Sequence, residues 1–439
     1  MARYALAIVP LVSQLYGLCK QVWFADDGTG AGNLKELRKW WDKLVEKGPA
    51  YGYFPNASKT WLIVKDEKLD EAKRIFKGTG VKFTSEGKRH LGAASQTFKE
   101  SYLQKKIDEW ITNVERLAKI AVTEPQVAFS AFTQRMQSRW VFVLRTVKDI
   151  SNLMQPLENV IRQKFLPALL GREVNDQERE LFSLPAKHGG LGIANPCIQC
   201  DRQSSNSEQL TMPLVALIIA QERTLNARGM SNTQSKIRKS QLKKKELSYS
   251  KSLEAIKETA TRELKIAIEH ACEQGASSWV TARPLHSHPW TVLNKGQFRD
   301  AIYLRYGWEP SRLPETCRCG ARFNVAHAMQ CMTGGYRGHM HNEVQYVFYD
   351  TFKQAGYKDV VWEPELQPLE GETLKYKTAN KDREARSDVR VLGFWSRLRR
   401  AFFDISAFSP KPPRKEPLQL LRDARKEKAS RIPRANPQR

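Results

Sequence analysis

Residues 21–32 read "QVWFADDGTGAG", a short apolar run, two adjacent aspartates and a glycine-rich return. A run of that kind, with two acids at the bend, suits a β-hairpin. Neighbouring carboxylates repel, so Asp26 and Asp27 on one tight turn point either to a bound cation or to a solvated Asp-Asp-Gly turn. Two-metal nucleotidyl transfer uses such an arrangement. Adjacent carboxylates on a rigid turn, with a third from a neighbouring strand, hold Mg²⁺ ions about 3.5–4 Å apart. One ion activates an attacking 3′-hydroxyl and the other steadies the leaving pyrophosphate. The dipeptide alone favours the solvated turn.

Around this stretch the pattern is mixed. "TWLIVK" (60–65) and "VKFTS" (81–85) alternate as strands do, whereas "YLQKKIDEWITNVERLAKIA" (102–121) repeats apolar residues at helical spacing. "LPAKHGGLGIANP" (184–196) interrupts the helical region as a glycine- and proline-marked loop. The N-terminal "MARYALAIVPLVSQLYGLCK" lacks a strong basic leader and a small-residue cleavage site, so it reads as a core helix. No run reaches the ~18 apolar residues of a membrane span, and "MPLVALIIA" (212–220) is far too short.

The 439 residues leave room for two to four domains, and 41% hydrophobic content supplies real cores. The charge is the strongest global signal: 72 Lys and Arg against 47 Asp and Glu, a formal +25. Such an excess points to a polyanionic partner, above all nucleic acid, because neutralised phosphates release counterions. Its densest block is Lys236, Arg238, Lys239, Lys243, Lys244 and Lys245, within a stretch (236–271) that reads as an exposed basic helix or pair of helices. The same block is compatible with a solvated face or a nuclear-import signal. Seven cysteines without a secretory leader imply an intracellular location, nuclear or cytoplasmic, where clustered cysteines favour metal over disulfide.

"TCRCGARFNVAHAMQC" (316–331) spaces Cys317, Cys319, His327 and Cys331 as C-x-C-x7-H-x3-C. Three soft thiolates and an imidazole match a closed, tetrahedral structural Zn²⁺ site. His339 and His341 in "GGYRGHMHNEV" are spare candidates, and "PCIQC" (Cys197, Cys200) has only the distant His188 as a conceivable partner. Cys19 and Cys272 read as ordinary buried or half-buried residues, and Trp40, Trp41, Trp279 and Trp290 as core rather than stacking platforms. Farther on, Asp388 and Asp404 flank β-like runs, a geometry that can set two carboxylates around one Mg²⁺ or pair them with nearby arginines.

Three segments in order resemble the reverse transcriptase palm of non-LTR retrotransposons. Phe24-Ala25-Asp26-Asp27 is similar to that family's aromatic-x-Asp-Asp motif. "GYFPNASKT" (52–60) resembles the following motif, which implies that Asn56 and Lys59 lie close to an incoming dNTP, the lysine neutralising phosphate charge. "GKRHLGA" (87–93), with Leu91 and Gly92, resembles the hairpin that grips the primer end. The helical stretch with residues 184–196 resembles the family's thumb and its boundary. The cysteine cluster resembles the zinc knuckle of the same elements. "EPELQPLEG" (363–371) and the segments around Asp388 and Asp404 resemble their restriction-like endonuclease, with Glu363 or Glu365 as an upstream acid. Two departures follow. The family's first catalytic aspartate precedes the segment like "YALAIVPL", where this sequence begins, so Asp26 and Asp27 are expected to bind Mg²⁺ or Mn²⁺ weakly and the chain not to polymerise. Asp404 is followed by Ile405-Ser406, without the lysine two residues on, so the nuclease is expected to be unfinished.

The resemblance implies an α+β chain. Residues 1–100 form a partial right-hand palm, 101–230 a helical thumb-like region and 231–275 a basic helical linker. Residues 276–345 form the zinc-knuckle region, 346–410 a partial restriction-like α/β nuclease and 411–439 a disordered basic tail. The function it implies is that of an RNA-directed DNA polymerase fragment with an incomplete catalytic site. Its partners would be an RNA template and a DNA primer or target, with no membrane. The alternatives are a non-catalytic nucleic-acid-binding protein from a decayed retroelement and an interaction protein without nucleic acid.

Overall fold

The computed structural model describes residues 2–88, 98–220, 227–285, 287, 291–365 and 386–405. It is a mixed helix-and-sheet structure dominated by helix, in two units, Met1–Trp308 and Glu309–Arg439.

The first unit opens with α1 (Ala2–Gln14), the antiparallel hairpin β1 (Lys20–Phe24) and β2 (Asp27–Ala31), and α2 (Leu34–Lys47). Asn33 starts α2 with a capping box, accepting from the Glu36 N–H while the Glu36 carboxylate accepts from its own. Adjacent tryptophans then send α2 to two small cores. Trp40 and Leu44 pack with Leu11 of α1 and Leu15 just past its end, and Trp41 packs with Phe76 and Val81. That second core lies under a parallel β-α-β unit of β3 (Trp61–Ile63), α3 (Leu69–Ile75) and β4 (Lys82–Thr84). The two sheets are separate pairs, β1-β2 and β3-β4, among the described residues.

Helices build the main core: α4 (Phe98–Thr123), α5 (Pro125–Ala131), α6 (Ser138–Thr146), α7 (Gln155–Val160), α8 (Leu166–Leu170) and α9 (Asp176–Ser183). Then follow α10 (Pro196–Ala220), α11 (Ala227–Thr259), α12 (Arg262–Cys272), α13 (Ser278–Thr281) and α14 (Lys295–Arg305). On α4 the apolar period buries Leu103, Ile107, Trp110 and Val114 as one stripe. Phe132 and Phe165 stack at 4.6 Å in the centre of this core.

The loop 184–196 is threaded through that core rather than laid over it. A buried loop must find partners for its carbonyls. Arg305 Nη2 donates to Ala186 O (3.0 Å), Tyr306 Oη to Gly189 O (3.0 Å), Gln137 Nε2 to Gly192 O (3.1 Å) and Arg179 Nη1 to Ile193 O (2.8 Å). Only glycine fits at 190, where a Cβ would lie 2.0 Å from Leu184 O. Arg179 is held in turn by Glu158, in a two-pronged pair at 2.6 and 2.7 Å with both side chains 6% exposed.

The basic segment 231–275 is helical, and its second half packs in the main core. Leu253, Ile256 and Ala260 at the end of α11, with Leu264 and Ile268 of α12, belong to the main core, because apolar residues return there at helical spacing. The first unit also extends beyond residue 276, since Val280, Phe298, Ile302 and Tyr306 pack in the same core. Trp40 and Trp41 are buried and Trp279 packs against the core, whereas Trp290 and the tail 411–439 lie outside the described residues.

The second unit holds α15 (Val325–Gln330), α16 (Tyr336–Gln354) and a three-stranded antiparallel sheet of β5 (Val360–Trp362), β6 (Val389–Leu392) and β7 (Arg400–Phe403), in the order β5-β6-β7. Phe352 of α16 packs on Val360, Val389 and Val391 to make its core.

Removing one partner of a buried ion pair strands the other charge. Glu158→Ala should therefore cost about 3–5 kcal/mol in urea unfolding, whereas Glu115→Ala, which breaks the surface pair with Lys164, should cost about 1 kcal/mol or less. Equal losses would count against the Arg179 anchor.

Candidate functional sites

Asp26 and Asp27 stand at the tip of the first hairpin. Phe24 pairs with Asp27 across a two-residue turn, and Ala25 occupies φ +53°, the left-handed region that favours glycine. Beneath the turn, Gln21 Oε1 accepts from both the Trp23 and Trp40 indole N–H groups at 3.0 Å, while its Nε2 donates to Val12 O. The Trp23 ring lies across Gly28, where a Cβ would be 2.9 Å from the ring. Trp23 meets Tyr53 edge-on, and Tyr53 Oη donates to Asp26 O at 3.0 Å. Burial pushes the Tyr53 phenol up to about 12, with the nearby Tyr4, Asp27 and Asp26 adding to the rise. A braced turn thus presents two exposed carboxylates beside the exposed Phe24 ring.

Tyr53 belongs to "GYFPNASKT", so its hydroxyl ties the second motif to the first. Asn56 caps the short turn Ala57–Lys59, accepting from the Lys59 N–H (3.2 Å) and Ser58 Oγ (2.7 Å). The Lys59 side chain is exposed. Leu91 and Gly92 lie outside the described residues.

The four Cys/His donors converge. A hairpin bridged at Thr316 and Arg322 carries Cys317 and Cys319, with Cys317 N–H donating to Ala321 O at 2.8 Å. Asn324 then caps α15 by accepting from the His327 N–H, and the helix delivers His327 and, one residue past its end, Cys331. All four donor atoms lie within 4.8 Å of one another. A zinc ion at about 2.3 Å from sulfur and 2.0–2.1 Å from nitrogen makes tetrahedral edges of about 3.8 Å between sulfurs and 3.5 Å between sulfur and nitrogen. Cys317 Sγ to Cys331 Sγ is 3.7 Å, and Cys319 Sγ to His327 Nε2 is 3.3 Å. The donor set fits a metal ion such as zinc.

Gly334 completes this site. Hydrogen bonding from its backbone, with help from Cys317 and Thr333, brings the Cys331 thiol down to about 7. A Cβ at 334 would sit 3.3 Å from Cys317 Sγ. The glycine pair after Cys331 was the available signal, but only the folded chain shows which sulfur it serves. His339 and His341 stay outside the cluster, and it is the one such group among the described residues. Cys197 and Cys200 bond to Gln155 Oε1 and Pro196 O, and His188 pairs with Glu246 at 3.0 Å. Cys19 is buried and Cys272 half-buried.

Asp388 precedes β6 and Asp404 follows β7. Because Val389 pairs with Phe403, both acids come to the same end of the sheet. Asp388 is mostly buried. Its Oδ2 accepts from Ile405 N–H, and Oδ1 lies 3.5 Å from His341 Nε2. Burial raises its carboxyl; the Ile405 hydrogen bond and His341 oppose that rise and Asp404 adds to it. The arginines pair elsewhere, Arg390 with Asp359 and Arg386 with Glu365. The Glu363 N–H donates to Asp388 O.

On α11, residues 236, 239 and 243 fall on one stripe. Lys236, Lys239 and Lys243 are exposed along it, as are Arg238 and Lys244 elsewhere on the helix. Lys245 is half-buried over the Tyr249 ring. Gln234 and Gln241 donate to carbonyls of α10. Among the described residues no helix is long and apolar enough to cross a membrane.

Purified protein should carry about one metal ion per chain, and Cys331→Ser should lose it. A metal-free wild type with ordinary folding would remove the site. Asp388→Asn keeps an acceptor for Ile405 and removes the charge. A raised carboxyl favours the fold most when protonated, and that contribution is lost as pH rises through the raised pKa. The variant's melting temperature should therefore match or exceed wild type at pH 7 and converge with it on acidification; a lower value at pH 7 would refute the burial penalty.

No protein-family model matches this chain, and no curated protein matches it.

Proposed function

We propose that this chain is a nucleic-acid-binding segment of a non-LTR retrotransposon reverse transcriptase, in which Asp26 and Asp27 supply half of a two-metal polymerase site. The observation that carries this reading is the braced turn, with two exposed carboxylates on a rigid tip and the following motif tied to it through Tyr53. Mg²⁺ or Mn²⁺ held there would bring Lewis-acid chemistry to a primer 3′-hydroxyl and a dNTP. Lys59 would neutralise triphosphate charge, and Phe24 and Asn56 would flank the nucleotide. Among the described residues no third ligand joins the two aspartates. Two carboxylates hold such ions weakly, so the chain on its own leaves a primer unextended.

Zn²⁺ at Cys317, Cys319, His327 and Cys331 has a structural role, because four protein donors leave no open position for chemistry. Asp388 and Asp404 descend from a restriction-like nuclease in this reading, without its lysine. The exposed lysine stripe of α11 favours a second reading, a non-catalytic nucleic-acid-binding protein derived from such an element.

One set of experiments separates these outcomes. With a primed RNA template, dNTPs and Mg²⁺ or Mn²⁺, extension should stay at background in wild type and in Asp26→Ala. Extension that Asp26→Ala abolishes would overturn the half-site. Binding to the same template should weaken steeply with salt, and replacing Lys236, Lys239 and Lys243 by Ala should flatten the log–log slope by about 2–3. Salt-independent or absent binding would overturn both readings.

A further inference from the structure

The turn between β6 and β7 carries Trp395 and Leu398, which are 80% and 81% exposed, the highest values among the large apolar side chains described. A surface turn ordinarily takes small or polar residues, so two large apolar side chains exposed on one short turn depart from its usual chemistry. The turn is built rather than loose. The Gly393 N–H donates to Arg399 O at 2.8 Å, and the Arg399 N–H to Ser396 O at 3.1 Å. Phe394 faces inward against Phe352, Tyr357 and Phe403. The Trp395 ring stands edge-on upon Phe394, with centroids 4.6 Å apart and planes at 87°. One aromatic is therefore anchored in the core and holds the next one out. Leu398 lies at φ +66°, a conformation rarely taken by a residue with a branched apolar side chain.

Charge singles out the partner. Arg397, Arg399 and Arg400 surround the tip, all exposed and none in an ion pair among the described residues. By contrast Arg390 of β6 pairs with Asp359, and Arg386, ahead of that strand, pairs with Glu365. An exposed indole on a turn whose neighbouring arginines make no ion pair among the described residues matches what an unpaired nucleotide offers, a π-face for stacking and phosphates on either side.

We propose that this tip is a nucleic-acid contact, in which an unpaired base stacks on Trp395 beside Leu398 while Arg397, Arg399 and Arg400 hold the flanking phosphates. It rests on the nucleic-acid reading above and adds a site to it.

The full-length chain is tested against a fluorescein-labelled single-stranded oligonucleotide, intact or made abasic throughout. Trp395→Ala should weaken binding to the intact strand about tenfold, and Trp395→Phe, which keeps a ring, much less. Neither should change the salt slope or the melting temperature. On the abasic strand the penalty of Trp395→Ala should vanish. Replacing the three arginines by Ala should instead flatten the salt slope by about 2. Wild-type binding that is salt-dependent yet indifferent to Trp395→Ala would overturn the tip and leave the nucleic-acid reading standing. An equal loss on intact and abasic strands would also overturn it, and so would Trp395-dependent sedimentation with phosphatidylserine vesicles alongside unaltered oligonucleotide binding. No binding of any strand by wild type would overturn both.

Discussion

Buried carbonyls must be paired, and the loop 184–196 concentrates that demand at the middle of the first unit. Much of it is buried, so donors for its carbonyls come from side chains far apart in sequence: Gln137, Arg179, Arg305 and Tyr306. Each donor fixes an element. Arg179 ties α9 and, through Glu158, α7; Arg305 and Tyr306 bring the end of α14 to the same place. Residues 276–308 join the first unit for this reason. The glycines are part of the same constraint, since Gly190 is the only residue type whose backbone can pass so close to Leu184 O.

The acidic turn follows a similar logic on a smaller scale. Two carboxylates can be exposed on a rigid tip only if the tip is held from the other side. Gln21 does this by accepting from two indoles, and Tyr53 by reaching the Asp26 carbonyl. These contacts use backbone, amide and aromatic groups and engage neither carboxylate. The cysteine cluster inverts the arrangement, with every donor turned toward its neighbours and backbone hydrogen bonding at Gly334 favouring a thiolate.

Local signals carried a good part of this. The apolar run, acidic bend and glycine-rich return at 21–32 pointed to the hairpin, the three-and-four period of residues 102–121 to α4, and the cysteine spacing to a cluster able to hold a metal ion. A charge signal hides the apolar packing beneath it. Residues 231–275 are dense in lysine and read as a linker, yet the sparse apolar residues near the end of α11 and in α12 are enough to dock both helices in the main core. A few buried leucines and isoleucines outweigh many solvated lysines, because charge on an exposed face costs little.

By itself the sequence determined the elements and the ligand types: which segments are helix or strand, where the acids cluster, and which thiols can share an ion. Those are properties of residues near one another along the chain, governed by periodicity, turn chemistry and donor identity. Tertiary structure alone decided that Tyr53 braces the Asp26 turn, that Asp388 meets His341 instead of an arginine, and that Arg179 and Arg305 hold a loop. Those partnerships join residues up to more than a hundred positions apart, and nothing in a local pattern specifies which buried donor will find which buried acceptor until packing has excluded water from both.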